Sequence, residues 1–260
     1  MSDTTVTRGR RFSGKVAIVT GAGRGMGRAV ALLLARGGAQ VAVNDLNGAT
    51  AEAVAEEARN LYGAEAIDVP GDVSSPEDVT RVVEETMSRF GRVDILVNNA
   101  GISSTTRPLE MIGDDEWSRV VDVNLRGVFL FMRAVLPHMK NQRSGKIVNV
   151  SSSAGRSVST FCGAHYTASK AGVLGLSRHA AFEAAPFNVN VNAVAPGTID
   201  TPMLREDASE ERIAEEARNI PLGRLGTEED EANLVAFLVS EEASFITGAT
   251  IDINGGDLII

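Results

Sequence analysis

The sequence predicts an α/β protein, a single doubly wound parallel sheet of about seven strands with helices on both faces. Three observations predict it. Short apolar, β-rich runs alternate with helical stretches from end to end of the 260 residues, the pattern that βαβ crossovers leave. The first such run leads directly into a glycine-rich turn and an apolar helix. No internal repeat, low-complexity tract or flexible linker interrupts the alternation.

Residues 15–20 (KVAIVT) read as a buried strand and 29–36 as the apolar helix that follows the glycines. Residues 39–45 form the second strand, 50–61 an Ala- and Glu-rich helix, and 66–69 a short third strand. A helix start follows at Ser75-Pro76-Glu77-Asp78, with serine as N-cap, proline first in the helix and acids in the first turn. Residues 93–97 (VDILV) are the fourth strand, and one long helical region covers 115–141. Residues 146–151 (KIVNVS) are the fifth strand and 166–185 a helix. Residues 189–195 are the sixth strand, 228–239 a helix and 250–253 the last short strand.

Composition sets the outer bounds. The 43% hydrophobic and 23% charged fractions are those of an ordinary globular chain, long enough to bury a large core. A formal net charge of −9 speaks against a nucleic-acid or anionic-membrane surface. Cys162 is the single cysteine, which excludes an intramolecular disulfide and a Cys-rich metal site. Residues 1–14 are polar and basic with no apolar stretch, and residues 30–43 are broken by Arg36, Gly37 and Gly38. Neither a secretory signal nor a membrane span is expected. The expectation is a cytoplasmic protein with a loose tail at 1–12 and one catalytic domain at 13–260.

Thr20-Gly21-Ala22-Gly23-Arg24-Gly25-Met26-Gly27 joins the first strand to the first helix. Glycines there let the backbone turn tightly and approach a pyrophosphate, which the helix N-terminus stabilises, as in a Rossmann-type site. The spacing is G-x-x-x-G-x-G, set by Gly21, Gly25 and Gly27. Asp45 closes the second strand, where a carboxylate accepts hydrogen bonds from an adenosine ribose and repels a 2′-phosphate. That favours NAD over NADP. Arg24 pulls the other way, because a cation in the phosphate loop could pair a 2′-phosphate. An S-adenosylmethionine methyltransferase shares the general layout, but its glycine motif usually begins with an acid, where this chain has Thr20.

Tyr166-Thr167-Ala168-Ser169-Lys170 places a phenol and an ammonium at i and i+4 on one helix face. The ammonium is expected to lower the tyrosine pKa toward working pH, making Tyr166 a base toward an alcohol or an acid toward a carbonyl. Asn149-Val150-Ser151-Ser152-Ser153-Ala154-Gly155 ends the fifth strand, Asn98-Asn99-Ala100-Gly101 the fourth, and Pro196-Gly197-Thr198-Ile199-Asp200-Thr201 follows the sixth. Such strand ends meet at the carboxyl edge where doubly wound sheets bind ligands.

With these motifs, together with Asp72-Val73, Asn124 and Asn254-Gly255-Gly256, the chain resembles the classical short-chain dehydrogenase/reductase family over residues 15–256. The resemblance implies that Tyr166 is the acid/base and that Lys170 holds the nicotinamide ribose and lowers the tyrosine pKa. Asn124 would anchor a proton-relaying water and Ser152 would polarise the reacting oxygen. Asp72 would contact adenine, Asn98 the adjoining backbone and cofactor, and Ile199 and Thr201 the carboxamide. Gly21, Arg24, Gly25, Met26, Gly27, Asp45, Val73, Ala100, Gly101, Pro196 and Gly197 complete the implied cofactor site. It also implies hydride transfer without a metal and a homotetramer. The family's usual spacing points to Ser153 and its Ser-Ser-x-x-Gly pattern to Ser152; Ser152 is favoured, with Ser153 facing substrate.

Other residues read as less committed. His165 turns about 100° away from Tyr166 and is expected to be structural or exposed; His138 and His179 are expected at the surface. Cys162 lacks a basic neighbour to activate it, and Trp117, Phe129 and Phe131 read as core or subunit contact. Arg107, Arg156 and residues 103–106 sit in loops where substrate would enter, suggesting a polar or anionic substrate such as a sugar. Residues 202–221 resemble a substrate lid. The reading is therefore an NAD-dependent dehydrogenase of a secondary alcohol or hydroxy compound. The alternatives are an NADP-dependent 3-ketoacyl-carrier-protein-type reductase, which Asp45 and the −9 charge oppose, and a catalytically silent dinucleotide sensor.

Overall fold

The computed structural model describes residues 11–159 and 161–260. Seven parallel strands form one sheet in the order β3-β2-β1-β4-β5-β6-β7. They are β1 (Val16–Thr20), β2 (Gln40–Asn44), β3 (Ala66–Asp68), β4 (Ile95–Asn98), β5 (Gly145–Val150), β6 (Val189–Pro196) and β7 (Thr250–Ile253). The strand order reverses between β1 and β4, and ligand crevices open at the carboxyl ends there.

Helices cover both faces. Val30 and Leu34 of α1 (Gly25–Arg36), Val54 of α2 (Gly48–Tyr62) and Val235 of α9 (Glu228–Leu238) pack with Val19, Val43 and Val150 in one core. Val82 of α3 (Pro76–Phe90), Phe131 of α5 (Gly127–Gln142) and Val173 of α6 (Ala164–Ala184) pack with Ile18 and Leu96 in the other. Between strand six and α9 lie two short helices, α7 (Pro202–Asp207) and α8 (Glu210–Asn219). Among the described residues no helix is long and apolar enough to cross a membrane.

Sequence and structure diverge in three places. Residues 1–10 of the expected tail lie outside the described residues, but Phe12 is 4% exposed, its amide bonds the Gly37 carbonyl and its ring fills the space beside Gly37. Strand β4 starts at Ile95, two residues later than expected; buried Asp94 before it accepts from the Val16 amide (3.0 Å) and from Arg92 (2.6 and 2.8 Å). The expected long helix over 115–141 is two helices, α4 (Asp114–Val121) and α5, joined by a π turn at Asp122–Arg126. Asn124 sits in that turn, wholly buried, and clamps Ile102 by accepting from its amide (2.8 Å) and donating to its carbonyl (3.0 Å). Such π turns interrupt helices at functional positions more often than elsewhere.

Helix α9 begins with a reciprocal capping box between Thr227 and Asp230. The next residue, Glu231, is 0% exposed and neither carboxyl oxygen has a hydrogen-bond partner. Burial pushes its pKa up to about 8, opposed by the Lys170 charge. A folded-state pKa above the ordinary 4.5 means that the native state holds the extra proton between those values, so stability falls as pH rises through that window. Glu231→Leu is expected to raise Tm, with the gain widening from pH 5 to pH 8. A Tm gain that does not grow with pH in scanning calorimetry overturns this assignment.

Candidate active site

The glycine turn is held from the β4 side. Thr20 Oγ1 accepts from the amides of Asn99 and Ala100 (both 3.0 Å), and Asn99 Nδ2 donates to the carbonyls of Thr20 (2.9 Å) and Gly21 (3.0 Å). Gly21 and Gly25 take φ of +59° and +61°, a region that disfavours other residues. A Cβ on Gly21 would lie 2.7 Å from the Ala100 Cα, and one on Gly27 would overlap the Gly21 carbonyl. Helix α1 then starts after extended Arg24 with no side-chain cap. Its first amides are thus left for an anion, and this cradle fits the pyrophosphate of a dinucleotide.

Asp45 follows β2 and accepts from the Gly23 amide (2.9 Å) and the Asn47 amide (3.0 Å). Arg24 forms a two-pronged ion pair with Glu206 of α7, which raises the guanidinium pKa through that hydrogen bond. After β3, Asp72 accepts from the Ser74 amide (2.8 Å) and hydroxyl (2.7 Å), and Val73 is buried against Gly127. Asn98 donates to Asn149 Oδ1 at 2.8 Å while its own buried oxygen has no partner.

One cavity of about 450 Å³ gathers many of the residues named from sequence: Met26, Gly101, Ser152, Ser153, Tyr166, Lys170, Pro196, Gly197, Ile199 and Thr201. Gly21, Arg24, Gly25, Gly27, Asp45, Asp72, Val73, Asn98, Ala100 and Asn124 are not in its wall. Asn124 lies behind it: its Oδ1 and the Lys170 Nζ would each be 3.3 Å from a Cβ on Gly101.

Tyr166 and Lys170 lie one turn apart near the start of α6. Tyr166 is half-buried and lines the cavity. Burial is the main effect on it and pushes its pKa above the ordinary tyrosine value, nearby Cys162 adds to the rise, and a hydrogen bond with Ser152 opposes it. Lys170, 4% exposed, donates from Nζ to the Val150 carbonyl (3.0 Å), and burial brings it down to about 8. Its Nζ is 5.7 Å from the Tyr166 ring centre. Burial thus moves the tyrosine in the direction opposite to the lowering expected from Lys170. Ser152 shares the cavity wall with Tyr166 and accepts from the Ala154 amide (3.1 Å), whereas Ser153 opens the short turn Ser153–Gly155.

Remaining groups fall outside the chemistry. His165 is buried, 3.3 Å from Glu116 and stacked on Trp117 at 6.5 Å between ring centres. His179 is exposed beside Glu183, and His138 is half-buried. Phe131 is in the core, while Trp117 and Phe129 are 41% and 43% exposed. Arg107 pairs with Glu116 and Arg156 with Asp252, and neither lines the cavity. The basis for an anionic substrate is therefore gone. Sequence reasoning did not assign the Asn99 clamp, although Asn99 stood in a quoted motif. Asp207, Glu216 and Asn219 of the cavity wall fall within the expected lid at 202–221 without having been singled out, and Asp257 was missed.

A doubly wound sheet with an uncapped glycine turn and a Ser–Tyr–Lys cluster at the strand ends defines a nicotinamide-dependent oxidoreductase. Residues 21–257 match a family model described as enoyl-(acyl carrier protein) reductase. The chain is 44% identical over 246 residues, 93% of its length and 98% of the relative's, to the 3-oxoacyl-[acyl-carrier-protein] reductase FabG of Staphylococcus epidermidis. A 3-oxoacyl-[acyl-carrier protein] reductase of Brucella melitensis solved with bound NAD superposes with a TM-score of 0.89 at 37% identity, covering 100% of this chain and 99% of that one. Levodione reductase superposes with a TM-score of 0.90 at 36% identity, covering 95% and 98%. The chain belongs to the classical short-chain dehydrogenase/reductase family and is an NAD(P)-dependent oxidoreductase of its alcohol dehydrogenase and ketoreductase type.

Removing a preorganised donor at a reacting oxygen lowers kcat by roughly 10²- to 10³-fold. Ser152→Ala is expected to fall in that range, and Ser153→Ala within about threefold of the parent on the same scale. Steady-state kinetics on both variants checks the assignment, and the reverse order overturns it.

Proposed function

We propose that this enzyme is a ketoreductase that uses NADH to reduce the 3-oxo group of an acyl thioester to the 3-hydroxy compound. The observation that carries the reading is the gathering of Ser152, Tyr166 and Lys170 in one cavity at the carboxyl ends of the strands. A neutral phenol is a general acid, suited to a carbonyl rather than an alcohol. Ser152 holds the carbonyl oxygen, Tyr166 delivers a proton to it, and Lys170 holds the ribose and supports the phenolate that results. A bound reduced nicotinamide supplies hydride donation to the carbonyl carbon. The near full-length similarity to 3-oxoacyl reductases favours the substrate class over the secondary-alcohol oxidation expected from sequence. That expectation survives as the reverse reaction.

Preference for NADH rests on Asp45, ordered by the Gly23 and Asn47 amides, where a 2′-phosphate would meet a fixed carboxylate. Arg24, the opposing signal, is engaged by Glu206. Helices α7 and α8 act as the lid, joined to the β4 loop by Ser103 donating to Asp207 at 2.6 Å. Exposed Trp117, Phe129 and Phe182 support assembly into a homotetramer, since subunit contact would cover them.

Assay of 3-oxoacyl N-acetylcysteamine thioesters and simple ketones with both cofactors tests the reading. The expected kcat/KM is at least about tenfold higher with NADH than with NADPH, a difference of roughly 1.4 kcal/mol, and Asp45→Ala shrinks it. Preference for NADPH overturns the cofactor assignment, and preference for simple ketones overturns the substrate class.

A further inference from the structure

The cavity that holds Ser152, Tyr166 and Lys170 has a second set of polar residues in its wall. Asp207 and Glu216 come from the lid helices and Asp257 from the segment after β7. Among the described residues Lys170 is the only lysine or arginine in that wall, and its ammonium is already held by the Val150 carbonyl. Arg24 is paired with Glu206, Arg156 with Asp252, and Arg205 with Asp200 and Glu210, while Arg212 lies over the Phe161 ring at 4.1 Å. Cys162 and Phe161 add thiol and aromatic surface between the catalytic serine and the lid. The wall therefore carries three carboxylates against one buried cation.

Glu216 is the acid that the fold fixes in place. It is half-buried, and its Oε1 accepts from Thr198 Oγ1 at 2.9 Å. Thr198 in turn is tied by its backbone carbonyl to the Gly226 amide at 3.0 Å, directly after β6. One carboxylate oxygen is thus used to orient the group, and the second is left for whatever enters the cavity.

We infer that Glu216 is a specificity-determining residue, accepting a hydrogen bond from a hydroxyl, amide or ammonium donor remote from the reacting carbonyl. The same wall rejects substrates that carry a carboxylate there. This rests on the reading of the cavity as a carbonyl-reducing site. Its physical basis is twofold. An acceptor built into a partly dry wall is left unpaired by a substrate lacking the donor. An added anion meets the like charge of three carboxylates in one wall. The amide N–H of an acyl-thioester arm is a donor of this kind, whereas a chain ending in carboxylate is the excluded case.

The experiment uses four 3-oxoacyl esters of equal length whose far ends are methyl, hydroxyl, ammonium and carboxylate. Turnover is measured on the enzyme with NADH, and calorimetry measures binding of the matching 3-hydroxy esters to the enzyme with NADH, a pair that cannot react. Hydroxyl and ammonium members are expected to exceed the methyl member by roughly tenfold in kcat/KM, mostly through KM, the scale of one net hydrogen bond. The carboxylate member is expected to fall at least about tenfold below methyl. Glu216→Ala brings the hydroxyl-to-methyl ratio to within about twofold on the same scale, and Glu216→Gln keeps a hydroxyl preference but loses the ammonium one. Because these are ratios within one protein, a general loss of activity does not mimic them. A carboxylate member equal to methyl, or ratios unmoved by Glu216→Ala, overturns the inference while leaving the ketoreductase reading intact. Absence of turnover across the series, with the calorimetric order retained, instead overturns that reading and supports the selectivity.

Discussion

The Asn99 side chain, donating at once to the carbonyls of Thr20 and Gly21, is the contact on which the crevice depends. It ties the end of β1 to the end of β4, the two strands between which the sheet reverses order. Thr20 returns the bond by accepting from the Asn99 and Ala100 amides. With the two strand ends closed this tightly, there is no room for a side chain at Gly21 or Gly27. The glycines are needed because the strand ends meet, as well as because a phosphate must approach. The uncapped start of α1 follows from the same geometry, since a loop this short places its amides at the crevice mouth.

A second set of backbone contacts fixes the catalytic helix to the same edge. Ser151 donates from Oγ to the Lys170 carbonyl at 2.8 Å, while Lys170 Nζ reaches the Val150 carbonyl. Asn124, turned inward by the π turn, holds the Ile102 backbone and lies 3.4 Å from Ser169 Oγ. Strand β5, the β4 loop and α6 are thereby fixed relative to one another by bonds to main chain, whose positions vary little with side-chain motion. Burial raises the tyrosine and lowers the lysine to about 8, which shifts each toward its neutral form while Lys170 stays mostly an ammonium at neutral pH.

Much of this was legible in the sequence because it is local. Apolar runs bounded by turn residues gave the strands to within a few residues, and Ser75-Pro76 marked the start of α3. The Tyr166 and Lys170 spacing needs only a helix to put both groups on one face. What failed to show is what depends on distant partners. The π turn requires Ile102 to be present opposite Asn124, twenty-two positions away. The commitment of Arg107 and Arg156 to acids on other elements is invisible to a reading that sees only their loops. The tyrosine pKa went the other way because a neighbouring charge can be counted from sequence, whereas enclosure cannot.

The same division separates chemistry from selectivity. Ser152, Tyr166 and Lys170 stand on a strand end and a long helix, pinned through main chain. The far wall of the cavity comes from two short lid helices and the segment after β7. Its anchors are side chain to side chain, as in Thr198 to Glu216 and Ser103 to Asp207. Exchanging one residue there changes what the cavity accepts without disturbing the strand ends, so a single scaffold tolerates different substrates. Superposition of this chain at TM-scores near 0.9 on both a 3-oxoacyl reductase and levodione reductase fits that logic. Likeness of fold constrains the reaction, while the acids of the proposed lid are where we place the selection of substrate.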